Sequence, residues 1–238
     1  MAVKNTKFKD AGDIIENALA SGRKILLPDE AMDIIKSSGI STPAYALAKT
    51  ANEALTAAKS MGFPVVLKIV SPDVLHKSDV GGVVVGVEND KEIERNYNEI
   101  MNNLTKKVQD ADIMGMLVEK QVPTTTEVIV GGIRDEQFGP TVMFGLGGIF
   151  VELFKDVVFR IAPVTETEAL EMIGEIKGYS VLNGYRGTEK LDIQKLSKTV
   201  VTVSELISDI DEIKEVELNP LLVYTEGVTA VDARIIIN

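Results

Sequence analysis

Four stretches of this 238-residue sequence place reactive residue types at spacings that suit chemistry. Lys68 is the one charged residue in the apolar run Val65-Val66-Leu67-Lys68-Ile69-Val70. An ammonium buried in such a strand needs a carboxylate or a bound anion. On an edge strand it would instead face water and discourage aggregation, and the sequence leaves both readings open. His76, the only histidine, lies in the polar loop 71–79 that runs into Gly81-Gly82. Its imidazole is largely neutral near pH 7 and serves as a base or as a nucleophile toward phosphorus. Lys77 is placed to balance a phosphoryl group and Asp79 to fix the tautomer. The plain alternative is an ordinary surface histidine.

The third stretch closes the chain. Residues 216–223 and 228–236 read as strands around Thr225-Glu226-Gly227. With Thr225-Glu226 as a two-residue loop, Asn219 faces Asp232, and Glu217 points the same way. Oxygen ligands converging from adjacent strands suit Mg²⁺, which takes one or two protein oxygens beside waters and phosphates. The competing reading pairs Glu217 with Arg234 across the strands and makes Asn219-Pro220 a bulge. The fourth stretch, Gly145-Leu146-Gly147-Gly148, either brings backbone amides to a phosphate or forms a tight turn. It is neither GxxxxGK[ST] nor GxGxxG. Arg160 and Arg186 are further anion candidates, with pairing to acidic residues as their structural alternative.

The elements that must position these residues follow from periodicity. Residues 10–20 carry Ile14, Ile15, Ala18 and Leu19 at helical spacing, and Pro28 opens a second helix. Thr50-Ala51-Asn52-Glu53 and Thr165 to Glu168 are capping-box patterns, and Asn89 caps a helix running to about Val108. Strands are expected at 64–70, 83–87, 113–119, 127–133, 140–144 and 157–162, with a further helix over 191–210. This is an α/β (α+β) pattern, divided here into a helical segment and smaller αβ lobe over 1–108 and a larger lobe over 109–238.

Composition narrows the function classes. Hydrophobic residues make up 45% and charged residues 26%, so the chain can bury a core. The 36 acidic against 25 basic residues give −11, which disfavours nucleic acid and anionic membranes as partners. The absence of cysteine excludes disulfides and thiolate chemistry, and a single histidine excludes HExxH and His-rich zinc sites. No apolar run approaches the ~18 residues of a membrane helix, and residues 1–10 show no secretory pattern, so the expected location is cytoplasmic.

Taken in order, the segments resemble the ATP-grasp fold and, within it, the β subunits of ADP-forming acetyl-CoA (acyl-CoA) synthetases, relatives of succinyl-CoA synthetase. The resemblance covers nearly the whole chain. It rests on Phe63-Pro-Val-Val-Leu-Lys68, His76-Lys-Ser-Asp-Val-Gly-Gly82, Val118-Glu-Lys-Gln-Val122 with Glu127, Gly145-Leu-Gly-Gly148, Glu217-Leu-Asn-Pro-Leu221 and Val231-Asp-Ala-Arg234.

The resemblance implies two lobes clasping a nucleotide, ATP or ADP, with Mg²⁺. Lys68 is similar to the lysine that contacts the phosphates. Glu119, Lys120 and Val122 fall in a stretch that resembles the adenine-binding hinge, and Glu127 resembles the carboxylate for the ribose. Asn219 and Asp232 are similar to the metal ligands, with Glu217 close by as a catalytic carboxylate. The family's phosphohistidine loop maps onto His76, a histidine that the corresponding loop of the succinyl enzyme lacks. The implied activity is a relay in a hetero-oligomer: a CoA-binding α subunit makes an acyl phosphate and then a phosphohistidine, and His76 passes the phosphoryl group to ADP. Two other readings are an ATP-grasp carboxylate–amine ligase, which gives His76 no task, and a non-enzymatic nucleotide-sensing module.

Overall fold

The computed structural model describes residues 8–74, 77–108, 111–148 and 155–238. Two helices come first, α1 (Lys9–Ala20) and α2 (Pro28–Ser37). Next come β1 (Tyr45–Ala48), α3 (Ala51–Met61), β2 (Val65–Val70), β3 (Val83–Val87), α4 (Asp90–Lys107) and β4 (Gly115–Lys120). The remainder supplies β5 (Thr126–Asp135), β6 (Gly139–Leu146), β7 (Val157–Ile161), α5 (Glu166–Glu175), α6 (Tyr179–Leu182) and α7 (Ile193–Asp209). The chain closes with β8 (Ile213–Val223), β9 (Val228–Ala230) and β10 (Ala233–Ile237).

These elements form two compact units, each built on an antiparallel sheet. The smaller unit, 27–29 with 43–123, holds a four-stranded sheet in the order β1-β4-β2-β3. Period-two alternation divides its faces. Val65, Leu67 and Ile69 of β2 and Met116 and Val118 of β4 pack with Ile93, Ile100 and Leu104 of α4. The opposite face carries Val70 and Leu117, packed with Leu27, Tyr45 and Leu47. Each helix is started by its own cap. The Thr50 hydroxyl accepts from the Glu53 N–H at 3.2 Å, while the Glu53 carboxylate accepts from the Lys49 N–H at 2.7 Å. Asn89 and Glu92 repeat that arrangement on α4, reaching back to Glu88. Satisfying these first N–H groups is what lets the helices begin where the sequence predicts.

The larger unit combines the described residues of 1–26 with 30–42 and 124–238. Its sheet runs β10-β8-β5-β6-β7, with β9 pairing β8. Helix α7 buries Val200, Val203, Leu206 and Ile207 completely, and a Cβ at Gly132 would come within 3.0 Å of Ile207, which places the even-numbered positions of β5 under this helix. The odd positions face the other way, and so do their cross-strand partners: Gly131 pairs Glu217 and Met143, and Glu217 pairs Arg234.

The units divide at 123/124, not near 108, and α1 and most of α2 group with the larger sheet. Pairing explains both differences. Strand β4 lies between β1 and β2, so the chain leaves the first sheet only after Lys120. Residues 24–26 bond along β10, with Leu26 N–H donating to Ile235 O at 3.0 Å and Ile237 N–H to Lys24 O at 2.8 Å. Two elements escaped the sequence reading: β1, a four-residue Tyr-Ala-Leu-Ala strand, and the single-turn α6. Neither is long enough to show a period. Among the described residues no helix is long and apolar enough to cross a membrane.

Candidate functional site

Lys68 sits on a central strand, which removes the edge-strand reading. It is 8% exposed and Glu119 only 2%. Register brings them together: Glu119 pairs Val66, so Lys68, two positions on, shares its face as a diagonal neighbour. The ammonium donates to both carboxylate oxygens, at 3.0 and 2.9 Å. The two charges complete each other in a place where either alone would be costly. Sequence reasoning assigned Lys68 and Glu119 separately and missed the pair, because no local pattern shows that their two strands lie side by side.

The stretch after Glu119 stays bonded to its own sheet. Lys120 gives its N–H to Ala44 O at 2.8 Å and its ammonium to the carbonyls of Gly62 and Phe63, at 3.0 and 2.8 Å. Gln121 donates to Pro64 O at 3.2 Å and accepts from the Gly86 N–H at 2.8 Å. Val122 is half-buried, and its backbone makes no hydrogen bond among the described residues. His76 lies outside the described residues. Beside it, the loop is closed by Gly82 N–H donating to Lys77 O and Ile69 N–H to Gly82 O, both at 2.7 Å.

In the larger unit the hairpin has the expected register. Leu221 pairs Ala230, Leu218 pairs Ala233, and Tyr224 N–H donates to Gly227 O at 3.0 Å around Thr225-Glu226, with Gly227 at φ 86°. Asn219 therefore lies opposite Asp232, and its N–H donates to Asp232 O at 3.3 Å. The bulge is also present. Between Val128–Leu221 and Val130–Leu218, Asn219 and Pro220 together oppose Ile129. An extra residue of this kind re-aims a side chain, and here it does so at Asn219.

Glu217 makes the cross-strand pair with Arg234 that the competing reading foresaw, and it also binds the Asn219 side chain. One oxygen accepts from Arg234 Nη2 at 2.7 Å and the other from Asn219 Nδ2 at 3.1 Å. Arg234 also donates to Glu215. The hairpin's turn is tied to α7 through Asp192, which accepts from the Lys195 N–H and the Gly227 N–H, each at 2.8 Å. The Lys195 bond above all holds the Asp192 carboxyl below the ordinary carboxylate range; partial burial opposes it and the Gly227 bond adds to it.

Glu127 is exposed at the start of β5, and the glycine segment leans on it. Gly147 N–H donates to Glu127 O at 2.8 Å, and a Cβ at Gly147 would come within 2.9 Å of Glu127 Cβ. Only glycine permits that approach. Arg160 is ion-paired with Glu175, the structural alternative foreseen for it. Arg186 lies over the Tyr185 ring, 5.2 Å from its centroid. Sequence reasoning missed Asp156, a buried carboxylate that accepts from the N–H groups of Lys177 and Gly178 at 2.8 and 2.9 Å. Nothing in its surrounding sequence marks it.

The donor set at the hairpin fits Mg²⁺. Among the described residues no three acidic or histidine side chains form a metal cage. Asn219, on β8, and Asp232, opposite it between β9 and β10, instead offer an amide oxygen and a carboxylate, the small oxygen set that Mg²⁺ takes beside phosphates and water. Because the Asn219 Nδ2 is engaged by Glu217, its Oδ1 is the atom left open: among the described residues it accepts no hydrogen bond.

Comparison with known proteins covers almost the whole chain. Residues 17–237 match the ATP-grasp domain family. The chain is 48% identical over 227 residues to the β subunit of ADP-forming acetate–CoA ligase I from Pyrococcus furiosus, spanning 95% of this chain and 97% of that one. It is similar in structure to acetyl-coenzyme A synthetase 1 of Ca. Korarchaeum cryptofilum in complex with coenzyme A and Ca-AMPCP. The TM-score is 0.94 and the identity 47%, over 96% of this chain and 100% of the other. A second structure of that protein holds coenzyme A and Mg-AMPPCP, with its phosphohistidine segment pointing towards the nucleotide site. It matches with TM-score 0.85 and 44% identity, over the same shares of the two chains.

Proposed function

The chain belongs to the ATP-grasp family, alongside the β subunits of ADP-forming acetate–CoA ligases, and on that footing we propose that it is the nucleotide-binding subunit of such an acid–thiol ligase. The acyl and CoA chemistry falls to a CoA-binding α subunit, with which this chain forms a hetero-oligomer in the cytoplasm. The phosphoryl group arrives on His76. It passes to ADP as the P–N bond to the imidazole breaks and a P–O bond forms to an oxygen of the terminal phosphate. ATP leaves and the imidazole is regenerated.

Phosphoryl transfer asks little covalent chemistry of a protein beyond positioning and charge neutralisation. Lys68, aimed by Glu119, supplies positive charge to the phosphates. The backbone and apolar side chain of Val122, following Glu119 and Lys120, take the adenine. Glu127 accepts from the ribose hydroxyls. Asn219 and Asp232 hold Mg²⁺, with Glu217 beside them. An Mg²⁺ ion held by these residues would supply positive charge to the nucleotide's phosphates.

The observation that carries this reading is the Asn219–Asp232 pair, an amide oxygen left open on β8 with a carboxylate opposite it across the hairpin. Calorimetric titration of ADP, with and without Mg²⁺, tests it. Binding is expected to depend on Mg²⁺ and to weaken in Asp232→Ala by about ten- to a hundredfold, the worth of one interaction with a charged group. Equal affinity in the two proteins would remove the hairpin from the site.

A further inference from the structure

From the hydrogen bonds of the hairpin, we infer that Arg234 and Glu217 are positioning residues that fix which atom Asn219 presents to the cation. The inference rests on the metal reading above and adds two residues to it.

The argument is one of donor and acceptor polarity. A guanidinium only donates, an ionised carboxylate only accepts, and a carboxamide does one at each end. Arg234 Nη2 donates to one oxygen of Glu217 at 2.7 Å. The other oxygen can then receive only the nitrogen of Asn219, and it does so at 3.1 Å. The direction of this chain of bonds is set by the chemistry of its first member. It ends with Asn219 Oδ1 turned away from Glu217, the orientation a cation requires. The opposite flip would present an NH₂ group, which repels a metal ion.

Sheet geometry makes the arrangement stiff. Arg234 is directly opposite Glu217 in the register, and Glu217 is two residues from Asn219 on the same strand. A second carboxylate, Glu215, also receives Arg234 Nη2, so the guanidinium is held from two sides. Supporting groups of this kind orient ligands, and their loss typically lowers metal affinity by roughly 10- to 100-fold.

The most informative variant is Glu217→Gln, nearly isosteric but reversed in consequence. The new carboxamide must give its oxygen to Arg234, which leaves its NH₂ facing Asn219. Asn219 then has to accept, and its oxygen is withdrawn from the cation. Arg234→Gln removes the donor-only anchor and lets the chain run in either direction. Arg234→Lys keeps a donor-only cation.

Mn²⁺ binding to the full chain with ADP, followed by electron paramagnetic resonance of the free ion, reads the effect without turnover. Glu217→Gln is expected to weaken Mn²⁺ binding roughly 10- to 100-fold, Arg234→Gln to weaken it less, and Arg234→Lys to recover part of that loss. Asp232→Ala is the reference. If Asp232→Ala loses Mn²⁺ while Glu217→Gln and Arg234→Gln bind like the wild type, the polarity lock is wrong and the metal reading survives. If Asp232→Ala also binds like the wild type, the metal reading fails and takes this inference with it. Should Arg234→Gln misfold, Glu217→Gln alone decides.

Discussion

The two sheets handle charge in opposite ways. In the smaller unit Lys68 and Glu119 are buried and answer each other with two short bonds. In the larger unit Glu217, Arg234 and Asn219 are half-buried or exposed, and their bonds run in a chain that ends on an open acceptor. The first arrangement sets a buried charge against a buried charge, so its members depend on each other for stability. The second is directional, so its members matter for what they present to a ligand. Substitutions should therefore damage folding as well as binding in the first region, and binding alone in the second.

The largest expected effect lies in the buried pair. Removing one partner, as in Glu119→Ala, strands a buried charge and should cost about 3–5 kcal/mol in urea unfolding. Replacing both, as in Lys68→Met with Glu119→Leu, should return most of that stability, because well-packed apolar groups often substitute for a buried ion pair without loss. On the proposed role of Lys68, the same double variant should still bind ADP poorly, since the phosphates would lose their cation. Wild-type stability in Glu119→Ala would erase the contrast between the sheets.

Asp192 offers a smaller effect that sharpens the comparison, because it anchors the hairpin without touching the binding residues. Asp192→Ala should cost about 1 kcal/mol, the usual worth of a helix cap. The contribution has a sign in pH. A carboxyl held below its ordinary range adds stability above that range, and the gain fades as pH falls through the lowered folded value. Wild type should thus lose stability relative to Asp192→Asn on acidification, as urea midpoints across acidic pH would show. Parallel curves would contradict the assignment. The smallest effect is expected at Arg160: the surface pair with Glu175 should contribute no more than about 1 kcal/mol, and Arg160→Ala should leave ADP affinity unchanged.

Much of this was legible in the sequence, for physical reasons that differ by element. Capping residues and helical periods are local, and so α3, α4, α5 and α7 were readable from Thr50, Asn89, Thr165 and the spacing of Leu196, Val200, Val203 and Leu206. The β8–β10 hairpin was readable because a two-residue loop fixes its register, which placed Asn219 opposite Asp232 in advance. Pairings between distant strands were not. Fifty-one residues separate Lys68 from Glu119, and no local pattern says that β4 pairs β2, so the ion pair and the division at 123/124 emerged only from the structure. Asp156 was invisible for the same reason: its partners, Lys177 and Gly178, are backbone groups twenty-one and twenty-two residues away.

The central claim is that a phosphoryl group moves between His76 and the nucleotide, and the reverse half-reaction tests it most directly. The chain, together with its CoA-binding partner, is incubated with Mg²⁺ and ATP labelled at the γ-phosphate, and the protein is analysed for bound label. The account predicts label on this chain that is stable in alkali, labile in acid, and absent from His76→Ala. Label that persists in His76→Ala, or a wild-type chain that takes up none, would contradict it.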